Sequence, residues 1–261
     1  GKGRLGAAEV WDVREQVLVA ALEMHLFDAA EEQLAVLHAK FSGSKRVQLL
    51  RAMFYEACGG QSKISTEEAD TYYQSASDIY DEILKEEPTH ALARKRKISN
   101  LRGIGSADAL AEALKQMNEY LDIFPMDFDS WRELGDLHLE LGNVEAARFA
   151  FEEVLMISPI NHVNHTVLAD CLYTLGDYPM ARKYYAQSLE LKPEGNARAA
   201  IGMVLTTSAI AASRSAKAED KANNEPLYAC GRMLLLECYE GLGQADAGAS
   251  VGALVKKWVG A

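Results

Sequence analysis

Residues 129–161 read DSWRELGDLHLELGNVEAARFAFEEVLMISPIN. Small and large residues stand here at fixed distances from a proline: Ala147 is twelve residues before Pro159, and Phe151 is eight before it. Measured from Pro88, Pro125 and Pro193, the same offsets find Ala76, Ala113 and Ala181 at twelve and Tyr80, Met117 and Tyr185 at eight. Pro179 and Pro226 do not follow the pattern, and Pro179 lies inside the unit that Pro193 closes. An earlier unit fits with Ser42 in the place of the proline, putting Ala30 and Leu34 at the two offsets. Pro125, Pro159 and Pro193 are 34 residues apart, and Pro88 to Pro125 is 37. Thirty-four is the period of the tetratricopeptide repeat, in which each unit is a hairpin of two helices.

The spacing has a packing logic. Gly135 on the first helix and Ala147 on the second carry almost no side chain, so the two helices can approach closely and pack ridges into grooves. Trp131, Leu134 and Phe151 fill the space around that contact. Pro159 ends the second helix, and Asn161 can cap the next by accepting a backbone N–H bond. The following unit repeats the scheme with Leu168, Ala169, Ala181, Tyr185, Pro193 and Asn196. A lone hairpin leaves apolar surface in water, so stability requires stacked neighbours.

The expected fold is therefore all-α, a right-handed superhelical solenoid of about five tetratricopeptide hairpins with C-terminal capping helices. Residues 1–9 read as a flexible lead-in and 10–212 as the solenoid. The step from Ser42 to Pro88 is 46 residues, and the surplus is placed as an inserted loop at about 59–73, GGQSKISTEEADTYY. A polar loop is expected at 213–225, followed by capping helices over 226–261. Trp11 and Val17 at one end, and Leu254, Val255 and Trp258 at the other, are candidates to close the apolar core.

With 261 residues, 49% of them hydrophobic, the chain can bury a sizeable core. Its most apolar run, AIGMVLTTSAIAA at 200–212, is too short to cross a bilayer and contains Thr206, Thr207 and Ser208. The first residues carry no signal-peptide pattern, which points to the cytosol. Cys58, Cys171, Cys230 and Cys238 are scattered without a C-x-x-C pair, giving neither a disulfide framework nor a cysteine zinc site. Thirty-eight acidic residues against 27 basic ones give a net charge of −11, which opposes phosphate-backbone binding and hence nucleic acid.

No G-x-S-x-G elbow, H-E-x-x-H pair or P-loop is present, and the carboxylates are spread over predicted helix surfaces, so the chain is not expected to be an enzyme. His162 and His165 are three residues apart on a predicted helix, but no further ligand at a predictable spacing completes a metal set. No cofactor is expected. ARKRKISNLR concentrates Arg94, Lys95, Arg96, Lys97 and Arg102 on one helix, which reads either as a solvated face or as a patch for anionic lipid or an acidic segment. Helical phase places Lys95, Ile98, Arg102, Arg132 and Asp136 on the surface lined by the first helices of the hairpins. Leu139, Val163, Thr166, Asp170 and Tyr173 continue it. A partner segment would bind there.

A more specific likeness runs in order through residues 10–210. REQVLVAALE at 14–23, ARKRKI at 93–98, MNEYLD at 117–122, RFAFEEVLMISPINH at 148–162 and ARKYYAQSLELK at 181–192 exceed what the generic repeat demands. On these stretches the chain resembles subunit 2 of the endoplasmic-reticulum membrane protein complex. The resemblance implies a non-catalytic scaffold on the cytoplasmic face of the endoplasmic reticulum, peripheral and joined to the membrane only through partners. Those partners are the other subunits, notably cytosolic parts of subunits 3 and 5 and a soluble subunit 8 or 9, in an insertase for tail-anchored and multipass proteins. The chain departs from the family in the longer stretch near 59–73, a shorter N-terminal extension and a loosely similar region after 213. The competing reading is a free-standing adaptor that binds a peptide or chaperone tail in its groove. Clamps for such tails converge Lys, Arg and Asn on carboxylates, and here Asp136 and Asp170 stand in that region, which disfavours a dicarboxylate clamp.

Overall fold

The computed structural model describes residues 9–214, 217–240, 248–258 and 260, so most of the lead-in assigned to residues 1–9 lies outside the described residues. Among the described residues, all regular structure is helical, and the chain divides into two compact units, Gly1–Pro125 and Met126–Ala261. In the first unit α1 (Glu9–Glu23) pairs with α2 (Phe27–Lys40), α3 (Lys45–Gly59) with α4 (Thr66–Glu86), and α5 (Ala91–Ile104) with α6 (Ala107–Ile123). In the second, α7 (Phe128–Glu140) pairs with α8 (Val144–Ile157) and α9 (His162–Thr174) with α10 (Tyr178–Leu191). There α11 (Ala197–Ala212) packs against α13 (Asn224–Glu240) across the short α12 (Ala218–Ala222), and α14 (Gly248–Trp258) lies against α13.

Helices α7 to α11 start with one device. Asp127, Asn143, Asn161, Asp177 and Asn196 each accept a backbone N–H from the first turn of the helix that follows. A side-chain oxygen here satisfies a donor that the helix itself leaves unpaired. Gly142 and Gly176, also 34 residues apart, adopt positive φ of 74° and 84° in the turns just before Asn143 and Asp177. An L side chain would strain the chain at these points.

Ala30, Ala76, Ala113, Ala147, Ala169 and Ala181 are all fully buried, as are Tyr80, Met117 and Phe151 to within 2%. Leu134, Gly135 and Tyr185 are buried too, and Trp131 packs half-buried against this core with an edge-on contact to Phe149 at 6.1 Å. The close approach at Gly135 is made by an aromatic ring: a Cβ there would stand 2.8 Å from Cζ of Phe151. The motif recurs. The Tyr73 ring lies 3.0 Å from where a Cβ would stand on both Gly59 and Gly103, and the Tyr185 ring covers Gly202 still more tightly. Pro159 and Pro193 are exposed, so they punctuate the repeat without forming part of its core.

Three expectations need correction. The stretch 59–73 is a loop only over Gly60–Ser65, because Ser65 and Glu68 form a reciprocal capping box that starts α4 at Thr66. The extra turns of this 21-residue helix place Tyr73 over its two glycines, and its carbonyl accepts the Asn100 side chain at 2.9 Å. The polar stretch 213–225 contains α12 and the start of α13. Buried Arg182 of α10 fastens it, donating to the Asp220 carbonyl at 2.7 Å and to Asn224 Oδ1 at 3.1 Å, while Asn224 donates to the Thr207 carbonyl at 2.6 Å. Finally, Trp11 packs edge-on against Phe41 at 5.3 Å and Val255 joins the second unit's core, but Val17, Leu254 and Trp258 are exposed.

Candidate interaction surface

α5 carries the basic run. Successive residues of a helix turn by about 100°, so four in a row cannot share a face. Arg94 Nε donates to the Pro88 carbonyl at 2.6 Å, and Lys97 Nζ meets Asp81 at 2.5 Å. Arg96 stands 3.7 Å from Glu56, and the Lys95 ammonium lies 5.5 Å above the Tyr120 ring. Arg102 is half-buried in the last turn, where a cation complements the helix dipole. The run is therefore distributed among partners on several helices, and it does not present one basic face. Ile98, placed on the surface by helical phase, is buried in the core because α5 is covered by both α4 and α6.

One polar arrangement occurs in both units. In the first, the Tyr80 hydroxyl of α4 donates to Glu56 of α3 at 2.9 Å, and Arg96 of α5 approaches the same carboxylate oxygen. In the second, the Tyr185 hydroxyl of α10 donates to Asp170 of α9 at 2.5 Å, and Arg198 of α11 is in direct contact with that carboxylate. Each arrangement ties a first helix, its own second helix and the next first helix. Burial, the largest influence, pushes the Glu56 carboxyl above the usual carboxylate range, while Arg96 and hydrogen bonds from Tyr80 and Ser99 pull the other way. Desolvation together with the neighbouring carboxylate raises both tyrosine hydroxyls.

In the second unit Arg132, Asp136, Leu139 and Val163 are exposed on α7 and α9. Tyr173 is half-buried, with its ring 5.3 Å from that of Tyr178. A groove of about 480 Å3 runs past Asp170, Tyr173, Tyr185, Arg198, Leu205 and Tyr239. Thr166 is buried and lies outside this surface: its hydroxyl bonds Ser188 at 2.7 Å and the His162 carbonyl at 3.1 Å. His165 is engaged in the fold, its Nε2 lying 2.7 Å from the Pro159 carbonyl. Among the described residues no three His, Cys, Asp or Glu side chains converge as a metal set would require.

Helical phase missed Glu56, Ser99, Arg198 and Tyr239. Glu56 lies 24 residues before its tyrosine partner whereas Asp170 lies 15 before its own, because the first interval includes the residues around 59–73. Arg198 and Tyr239 fall where the 34-residue period has faded.

These features belong to a known kind of repeat. The model of the EMC2 TPR-like repeat domain matches residues 52–191, more than half of the chain. The chain belongs to this family. It is 34% identical over 219 residues to ER membrane protein complex subunit 2 of Xenopus tropicalis, covering 83% of this chain and 68% of that relative. To the subunit 2 of Dictyostelium discoideum it is 32% identical over 192 residues, covering 72% of this chain and 55% of the relative. Among solved structures, MamA from Desulfovibrio magneticus RS-1, residues 41 to the end, superposes with a TM-score of 0.52 at 17% identity, over 73% of this chain and 98% of that fragment. That likeness is one of fold. The EMC2 TPR-like match encloses Glu56, Tyr80, Arg96, Asp170 and Tyr185, and leaves Arg198 just beyond its end.

Proposed function

We propose that this protein is a scaffold subunit of an endoplasmic-reticulum membrane protein complex and performs no chemistry itself. The observation that carries this is the family match together with relatives named as subunit 2 of that complex. In this reading the chain sits on the cytoplasmic face and holds cytosolic parts of subunits 3 and 5, with a soluble subunit 8 or 9. The assembly inserts tail-anchored and multipass proteins. The surfaces lined by Lys95 and Arg102 in one unit, and by Arg132, Asp136, Leu139, Val163, Asp170 and Tyr173 in the other, are where partner segments lie. In the second unit a groove that includes Asp170 and Tyr173, lined by aromatic rings and charged side chains, supports this, since such groups anchor protein interfaces. No helix among the described residues is long and apolar enough to cross a membrane, in keeping with attachment through partners.

The test is native purification from gently solubilised endoplasmic-reticulum membranes. The protein should co-purify with membrane-spanning subunits and leave the membrane fraction when those subunits are deleted. Membrane association unchanged by their deletion would sink the reading.

A further inference from the structure

Within Gly1–Pro125, helices α1, α3 and α5 border an open cavity of about 340 Å3. Part of its wall is apolar, with Val19, Leu22 and Met53, and the wall also carries Glu23, Glu56, Arg96, Ser99 and Tyr73. Two carboxylates and one guanidinium thus line the same space. The Glu56 side chain is only 14% exposed, while the Arg96 side chain is 38% exposed and 3.7 Å away. Tyr80 and Ser99 also hydrogen-bond to Glu56, but neither brings positive charge.

The second unit supplies an internal comparison. Asp170 receives the same kind of tyrosine hydroxyl, and its arginine is in direct contact, so the carboxylate is compensated within the fold. In the first unit the arginine is held farther off, and a second carboxylate, Glu23, lines the same space. A poorly solvated carboxylate is costly until a cation reaches it. The apolar wall selects the kind of cation. A hydrated ion gains nothing from Val19, Leu22 and Met53, whereas a lysine or arginine lays its alkyl stem on such a wall and carries its charge at the tip. The volume lies at the small end of ligand pockets, which suits one long side chain.

We propose that this cavity receives a lysine or arginine side chain from a partner segment, its charged end meeting Glu56 and Glu23 and its stem lying on Val19, Leu22 and Met53. The inference rests on the reading that this chain holds segments of other subunits, and it names the chemistry of one of them.

The probe is a random dodecapeptide library displayed on phage and selected on the whole protein, with calorimetry on the enriched peptides. The wild-type protein is expected to enrich sequences that share a lysine or arginine. Changing that residue to methionine weakens binding about ten-fold or more, and so does Glu56→Gln in the protein. Glu56→Gln keeps an acceptor for Tyr80, and an unfolding temperature no lower than wild type establishes that it is folded. Lys183→Ala, on an exposed position of α10 in the other unit, leaves the affinity unchanged. The proposal is overturned by enriched peptides without a shared cation, by no enrichment over an unrelated protein, or by binding indifferent to Glu56→Gln. In each of those cases co-purification with membrane subunits would still stand. Loss of co-purification with peptide binding intact would instead sink the scaffold reading.

Discussion

Replacing Gly202 by alanine tests the aromatic-over-glycine packing most directly. The Tyr185 ring occupies the place of the missing side chain, with Cδ1 2.7 Å from an added Cβ and Cε1 and Cζ nearer still. Something must move, and the ring is held at its far end by the hydroxyl bond to Asp170. Overpacking of this kind costs about 1–3 kcal/mol. If the ring swings clear, the bond to a charged acceptor, worth about 1.5–3 kcal/mol, is lost instead. Against this, alanine stabilises a helix interior over glycine by up to about 1 kcal/mol. The net expectation is a loss of about 2 kcal/mol in urea unfolding. Gly135→Ala should cost less, because Phe151 stands farther off and carries no polar tether. In a Tyr185→Leu background Gly202→Ala should become neutral or stabilising, since the obstruction is gone. An equal loss from Gly202→Ala in both backgrounds would refute the reasoning.

Three further outcomes are expected. Ser65→Ala removes the capping box and should cost about 1 kcal/mol, with faster hydrogen exchange confined to the first turn of α4. Arg182→Met should cost about 1–3 kcal/mol by leaving Asn224 and the Asp220 carbonyl short of a donor, and should expose residues 217–224 to exchange while α9 stays protected. Because the folded carboxyl of Glu56 is raised above its unfolded value, its ionisation opposes folding. That cost is fully present above the folded pKa and is relieved as pH falls through it. Glu56→Gln should therefore be at least as stable as wild type above the folded pKa of Glu56, and its advantage should shrink as pH falls through that pKa in paired denaturation curves.

The repeat was legible because its signals are local. An alanine twelve residues before a proline marks a place where two helices touch, and an asparagine two residues after a proline caps the next helix from within one turn. The failures are non-local or concern helices buried on several sides. α9 has seven buried positions, from Asn164 to Leu172, because α8, α10 and α11 all pack on it, so a single-stripe reading put Thr166 on the surface. The five residues of α12, AEDKA, include good helix formers but are too few to hold a helix alone, and the arginine that fastens them stands 38 positions away. Ser65 and Glu68 did carry a local signal, the S-x-x-E pattern, hidden in a stretch whose glycines and missing apolar period read as loop.

The rings of Tyr73 and Tyr185 reach past their own hairpins, to Gly103 of α5 and Gly202 of α11. These two hairpins, α3 with α4 and α9 with α10, thus each carry half of a joint whose other half is built into the next helix, α5 or α11. At these two places, units that look interchangeable by their alanines and prolines are keyed to the helix that follows. Duplicating or transposing one hairpin would set an aromatic ring against a side chain where a glycine is required, and an engineered lengthening of either stack must copy tyrosine and glycine together.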